Sequence, residues 1–226
     1  MLHLNKVISL ITNHNWLAIL YFNFKMLPFR QAIHLPFDFY HQVRFESLKG
    51  RVKLNFDNIY RGVIKVGSAG SEMFPHLCTT LIIDGDFVFS GPCVIGINSC
   101  CRCNQNGRIY FGPNTIIGAG NLVFCQQKID FGENFLSSWN CQFMDTDTHT
   151  VTNFEDERIN HDSPIIIGKN VWIGNYVSVY KGSRIPSNTI IASHSLCNKD
   201  YSESGEGCIL AGTPARVVKK EIKWKI

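Results

Sequence analysis

The sequence predicts an all-β fold of short strands wound into stacked triangular coils, preceded by a short helical segment and interrupted by one protruding loop. Three observations carry this expectation. From residue 165 onward, apolar residues fall at Ile167, Ile173, Val179, Ile185, Ile191 and Cys197, every sixth position for six consecutive units. A second series, Ile165, Val171 and Val177, runs two positions earlier, and Gly168 and Gly174 directly follow the first two members of the main series. A period of six fits neither the 3.6 of an amphipathic helix nor the 2 of a simple strand. It fits strands of a few residues that each end in a tight corner, with an aliphatic side chain turned inward and a small residue permitting the turn. Three such units close one triangle, and stacked triangles share a continuous core.

Composition sets the outer limits. Of the 226 residues, 45% are hydrophobic and 18% charged, enough apolar matter for a substantial core and too much for disorder. The net charge is +4, and the last eleven residues alone supply it: Arg216, Lys219, Lys220, Lys223 and Lys225 against Glu221. Residues 1–215 are therefore neutral in sum, which places the positive charge in a tail and argues against a broad nucleic-acid surface. Nine cysteines, an odd number with Cys100, Cys101 and Cys103 crowded together and no paired C-x-x-C, read as small apolar residues of a reducing compartment, neither a disulfide framework nor a zinc site.

Along the chain, residues 7–29 are apolar but broken by Asn13, His14, Asn15, Asn23 and Lys25. No run reaches the roughly 18–20 apolar residues that span a bilayer, and no small-residue cleavage site follows. An amphipathic helix over about residues 4–25 is expected, with packing on the domain and contact with a membrane surface both open. The six-residue grammar then appears less regularly in residues 82–99, 109–123 and 129–143. Phe111, Ile117 and Val123 are six apart, and Phe131 follows at eight, which reads as a loop or bulge in one coil. Residues 144–164 abandon the repeat altogether. About twenty polar residues between regular coils form an excursion of the kind that commonly carries function.

This grammar resembles the hexapeptide-repeat family, and the resemblance, covering about residues 62–219, implies a left-handed parallel β-helix. VWIG at 171–174, NKD at 198–200 and AGTPARVVK at 211–219 are similar to the acyl-CoA-dependent acyltransferase branch, and residues 1–60 look like the N-terminal module of polysaccharide-type acetyltransferases. The expected organisation is a helical or irregular segment over 1–60, the β-helix over 61–213 with the loop 144–164, and a basic tail over 214–226.

The resemblance also implies a site. His149, in DTDTHT at the exit from the coil, matches the family's catalytic base. Imidazole suits that role because removing a proton from an attacking hydroxyl needs an acceptor that titrates near neutrality. Asp145 or Asp147 is expected to orient the ring, with a backbone carbonyl as the alternative, while His161 reads as a solvated residue. Asn121 and Asn140 are candidates for positioning the acceptor or the acyl group. Trp172 matches a residue lining the thioester channel, its other reading being a core aromatic at a corner. Asn175 and Ser193 match backbone contacts to the pantetheine arm, and Lys199 and Arg216, with Lys219 in reserve, match cations for the 3′-phosphate of coenzyme A. Pro186 and His194 depart from the family by standing where glycine is usual.

The function so implied is transfer of an acetyl group from acetyl-CoA to a hydroxyl of a sugar in a surface polysaccharide or its precursor. No metal or nucleic acid takes part. The enzyme is expected to be a homotrimer with active sites at subunit interfaces, in the cytoplasm, with peripheral contact with the inner face of the membrane left open. The competing classes are N-acyl transfer to an amino sugar, serine acetylation, a zinc γ-type carbonic anhydrase and a non-enzymatic β-helix scaffold. The carbonic anhydrase carries paired histidines five apart, and here Phe154 stands five residues after His149. A scaffold or ice-binding surface calls for outward ranks of threonine and no polar loop.

Overall fold

A computed structural model describes residues 14–68 and 78–225. The chain winds as a triangular prism whose three faces are parallel sheets. The first face stacks Phe37–Phe39, Ile64–Ser68, Cys93–Gly96, Thr115–Ile117, Leu136–Ser137, Trp172–Ile173, Ile190–Ile191 and Ile209–Gly212. The second runs from Val43–Leu48 through Gln142–Met144 to Leu196–Cys197, and the third from Arg51–Leu54 through Lys128–Phe131 to Arg184–Ile185. Every rung pairs with the one below it in parallel register, except that the final strand, Ala215–Lys219, folds back antiparallel on Ile209–Gly212.

The six-residue series maps onto the interior without exception. Ile167, Ile173, Val179, Ile185, Ile191 and Cys197 are buried, as are Ile165, Val171 and Val177 of the second series. Each such side chain, fully buried, is worth about 1.5–3 kcal/mol. The role assigned to the glycines needs correcting. Gly168 and Gly174 do not adopt the left-handed conformation; that falls two residues later, on Asn170 (φ +55°) and Tyr176 (φ +57°), and again on Asn188 and His194. Asparagine tolerates that region best among residues with a Cβ, and the side chains stack: Asn170 Nδ2 donates to Asn188 Oδ1 at 2.8 Å. The glycines serve close approach between coils, since a Cβ on Gly174 would lie 2.7 Å from the Ser193 amide nitrogen.

The prism is wider at its N-terminal end. Trp172 pairs with Ile190, eighteen residues on, whereas Ile116 pairs with Leu136, twenty residues on. The extra residues let a strand turn two side chains inward, and phenylalanines fill the wider section. Phe89 and Phe111 stack 4.6 Å apart at 9°, and Phe111 and Phe131 follow at 5.7 Å. The eight-residue step from Val123 to Phe131 is this widening: Cys125 also faces inward before the corner. All nine cysteines are free thiols. Burial pushes the Cys141 thiol up to about 11 and Cys197 up to about 12, so both stay protonated at neutral pH.

Three expectations about the ends require revision. The helix α1 spans Trp16–Met26, with His14 and Asn15 outside it, while residues 4–13 of the expected helix lie outside the described residues. Asn15 caps it by accepting from the Ala18 amide at 3.1 Å, and Pro28 follows its end. Residues 1–60 are not merely helical and irregular either, because Phe37–Phe39, Val43–Leu48 and Arg51–Leu54 form the first coil. In the last of these, Val52 and Leu54 alternate inward with exposed Arg51 and Lys53, a period of two. Buried Asn23 joins helix to coil, donating to the Ile19 and Phe37 carbonyls at 2.8 and 2.9 Å and accepting from the Phe37 amide. Finally, residues 214–226 are not a free tail. Ala215–Lys219 is a strand, and beyond it Trp224 Nε1 donates to the Asn170 carbonyl at 2.8 Å.

Candidate active site

The loop leaves the prism after Gln142–Met144 and returns at Ile165–Ile167, so it projects from the corner between the second and third faces. Its first residue is its anchor. Asp145 is fully buried, and its carboxylate accepts the amides of Gln126, Gln127 and Lys128 at 2.6, 2.7 and 2.7 Å. These are the corner amides of the coil below, left without strand partners by the two-residue turn. Asp145 therefore satisfies the corner and pins the loop's exit. It does not orient His149.

Asp147 does not orient the ring either. It is exposed and pairs with Lys181 Nζ, and it also accepts from Asn160 Nδ2 at 2.9 Å. The Lys181 ammonium and the Asn160 amide beside it hold its carboxyl below the usual carboxylate range. Asn160, which the sequence reading passed over, is the brace of the arm. Its Nδ2 also donates to the His149 carbonyl at 2.7 Å, and its Oδ1 accepts the Val151 amide at 2.7 Å. Farther out, Ile159 N bonds the Val151 carbonyl at 2.9 Å and Asn153 closes the tip by accepting from Glu155 and Glu157 amides. His149 thus stands on a short antiparallel arm, its backbone fixed on both sides and its side chain turned to solvent with no hydrogen-bond partner among the described residues. His161 is exposed near the arm's base. An asparagine in a polar loop carries no sequence signal that separates a brace from a solvated residue.

Asn160→Ala should leave thermal unfolding nearly unchanged while lowering turnover by about 10- to 100-fold, the range that a misplacement of roughly 1 Å costs. Trypsin cleavage at Arg158, faster in the variant than in the parent, reports whether the arm has loosened.

The other candidates lie along the corner between the first and second faces. Trp172 is 38% exposed on the first face, and its Nε1 donates to Ser138 Oγ at 3.3 Å, so it is not a core aromatic. Ser138 and Trp139 border a cleft of about 210 Å³ whose apolar floor includes Val94, Ile116 and Leu136. Asn175 and Ser193 follow one coil apart, joined by a hydrogen bond from Ser193 Oγ to Asn175 Oδ1. Asn140 occupies the same column as a left-handed corner residue (φ +54°). Asn121 is wholly committed to structure. Its amide donates to Gly118 O, Ser137 Oγ and Ser138 O, and its Oδ1 accepts the Cys141 amide at 2.6 Å, so nothing is left for an acceptor. His194, also left-handed, stacks on Tyr176 at 5.0 Å.

The phosphate candidates separate. The hairpin turn at 213–214, just before Arg216, reaches this first corner, because Thr213 Oγ1 donates to the His194 carbonyl at 3.3 Å. Lys199 follows Leu196–Cys197 on the second face, with its ammonium 5.4 Å from the Tyr201 ring, and so belongs to His149's corner. Lys219 is exposed at the end of the last strand. One chain therefore distributes the predicted residues over two corners of a triangle. Among the described residues no group of three or more His, Cys, Asp or Glu side chains is placed to hold a metal, and no helix is long and apolar enough to cross a membrane.

Comparison with known proteins gives concordant results. The family described as "Bacterial transferase hexapeptide (six repeats)" matches residues 164–199, the narrow coils where the six-residue spacing is strict. A putative lipopolysaccharide biosynthesis O-acetyl transferase of Escherichia coli K12, WbbJ, is 31% identical over 146 residues, covering 61% of this chain and 73% of that protein. An uncharacterized 24.8 kDa protein in the cps region of Klebsiella pneumoniae is 37% identical over 149 residues, covering 57% and 65%. The chain spans 43%, 65% and 39% of the lengths of the first three curated relatives it matches. Among solved structures, the polysialic-acid-specific acetyltransferase NeuO superposes with a TM-score of 0.56 at 22% identity over 84% of this chain and 79% of the other, a likeness of fold.

Proposed function

The chain belongs to the hexapeptide-repeat acyltransferase family, folded as a left-handed β-helix, and from that premise we propose that it transfers an acetyl group from acetyl-CoA to a hydroxyl of a sugar in a surface polysaccharide or its precursor, with His149 as general base. The observation that carries this reading is a solvent-facing histidine on a braced arm at the one described break in the coil. Similarity to the putative lipopolysaccharide biosynthesis O-acetyl transferase WbbJ supports the sugar hydroxyl as acceptor.

In this reading the site forms between copies of the chain, in a homotrimer. His149 of one copy faces the first-to-second corner of its neighbour, because a single prism holds these groups on different corners. The cleft beside Ser138 has the mixed lining, apolar floor and hydroxyl rim, that suits the thin amide-bearing arm of coenzyme A. Trp172 stands beside its rim, held to Ser138 by the indole N–H, and Arg216 at the same corner is placed for a phosphate. Lys199 meets that phosphate only from the neighbouring copy.

The chemistry then follows in balanced steps. The sugar hydroxyl gives its proton to the free imidazole nitrogen of His149 as its oxygen attacks the thioester carbonyl carbon. The tetrahedral adduct collapses, the carbon–sulfur bond breaks, and the departing sulfur takes the proton from the imidazolium. Histidine starts and ends neutral. A fixed arm contributes by holding the base at one distance from the acceptor.

Incubation with acetyl-CoA and a panel of sugars, followed by mass spectrometry and alkaline treatment, tests this reading. One added acetyl group that alkali removes, an ester, is expected. An alkali-stable amide product shifts the assignment to N-acylation, and no acetylated product with any sugar overturns it.

A further inference from the structure

Helix α1 is apolar on both faces, yet among the described residues the core packs on only one of them. Ala18, Ile19 and Phe22 pack beneath it on Phe37, Phe39 and Phe45, closing the open N-terminal end of the prism. On the opposite side Leu17, Leu20, Tyr21 and Phe24 recur at helical spacing and are 83%, 47%, 54% and 48% exposed. Phe29 and Ile33 just beyond are 72% and 51% exposed. This aromatic and aliphatic surface faces away from the core at the first coil of the prism. A helix apolar all round belongs in an apolar environment on both sides.

Charge identifies the partner. Residues 1–37 contain no Asp or Glu at all. Residues 1–65 carry nine Lys or Arg against three acids, whereas residues 66–215 carry eight against fourteen. The neutrality of residues 1–215 thus conceals a strongly dipolar chain, and the tail is not the sole seat of positive charge. Arg51 and Lys53, together with Arg108, share the single carboxylate of Asp86 on the third face. Lys25, Arg30 and Arg61 have no carboxylate partner among the described residues. Lys25 lies 5.7 Å from the Tyr21 ring and Arg61 4.5 Å from the Trp16 ring, so the cations border the apolar face with their stems along it.

We propose that this end of the prism docks on an anionic lipid surface, with α1 lying in the interface. Its apolar face enters the headgroup boundary while Lys25, Arg30 and Arg61 meet lipid phosphates, the arrangement that favours interfacial helices. A second copy of the chain is the poorer occupant, because two such cationic ends repel one another. The acidic remainder of the prism is repelled by the same surface, which stands the coil stack upright. The basic C-terminal segment is a separate feature, held at the sixth coil by Trp224, ~24 Å up the prism at one inter-strand spacing per coil. This inference does not depend on the transfer chemistry.

Flotation of the full chain with vesicles tests it. Binding to mixed phosphatidylglycerol–phosphatidylcholine vesicles is expected, falling as salt rises, with at least about tenfold weaker binding to phosphatidylcholine alone. Leu20→Glu/Phe24→Glu and, separately, Lys25→Gln/Arg30→Gln should each weaken binding by about tenfold or more without changing the melting temperature or solution mass, because all four side chains are exposed. Lys220→Gln/Lys223→Gln/Lys225→Gln should bind like the parent. Three results overturn the proposal. One is equal binding to both vesicle types. Another is loss of binding only in the C-terminal variant. The last is absence of vesicle binding together with a fall in solution mass for Leu20→Glu/Phe24→Glu, which makes the face a contact between copies.

Discussion

His149→Ala is expected to lower kcat/KM by about 10²- to 10⁴-fold while the protein folds, assembles and binds acetyl-CoA as before. The size is that of a lost general base. The selectivity follows from the structure: the imidazole touches no packed group, and Asn160 holds residue 149 through its main-chain carbonyl, which alanine keeps. His161→Ala, at the exposed base of the arm, should change turnover little. Steady-state kinetics with a soluble sugar acceptor make the comparison. A His149→Ala protein that keeps more than about a tenth of parental kcat/KM places the base elsewhere.

The largest effect on stability should come from Asp145→Ala. Three amides of one corner lose their acceptor together, in a position with no access to water. Breaking a buried charge-assisted cluster of this kind costs about 3–5 kcal/mol. For a chain of this length that corresponds to a fall in Tm of roughly 6–20 °C, at about 2–4 °C per kcal/mol. Asp145→Asn, which keeps one carbonyl oxygen but turns an NH₂ toward the donors, should fall between alanine and the parent. Activity should fall along with stability, because the same carboxylate pins the root of the His149 arm. A thermal scan showing Asp145→Ala within about 2 °C of the parent contradicts the role assigned here.

The narrow coils were legible because their rule is simple. One inward aliphatic per strand and one corner per six residues leave a trace that needs no knowledge of partners. The first coil obeys a different local rule: Val52 and Leu54 alternate inward at period two, and Phe37 and Phe39 do the same. Such residues look like any short strand and show no six-residue repeat. The wide coils add a second inward residue per strand, which breaks the period at Cys125 without breaking the prism.

The site was legible to a lesser depth. His149 stood out because polar chain replaces repeat around it, whereas the sequence left Trp172 open between a channel wall and a core aromatic, and the fold turns it outward. The aspartates were misread for a reason visible in the sequence itself. Phe143 is inward, so Asp145 two residues later continues the inward series and Asp147 falls beyond the end of the strand. A buried carboxylate at a corner answers to the amides around it before it answers to a distant ring. Asn121 is the same case, an inward polar residue whose four hydrogen bonds are all local. Asn160 acts on His149 across eleven residues of loop, and no spacing rule anticipates that contact.

The proposed site is shared between copies, with the base from one and the acyl groove from the next. Mixing two inactive proteins tests this directly: His149→Ala, and Ser138→Trp, which fills the groove beside Trp172 with an outward side chain. Each should be inactive alone. When the two are co-expressed in equal amounts and purified as mixed assemblies, about one quarter of parental activity should return, since random assembly in a closed ring pairs an intact arm with an intact groove at that frequency. Mixed assemblies as inactive as either parent variant would contradict the shared site.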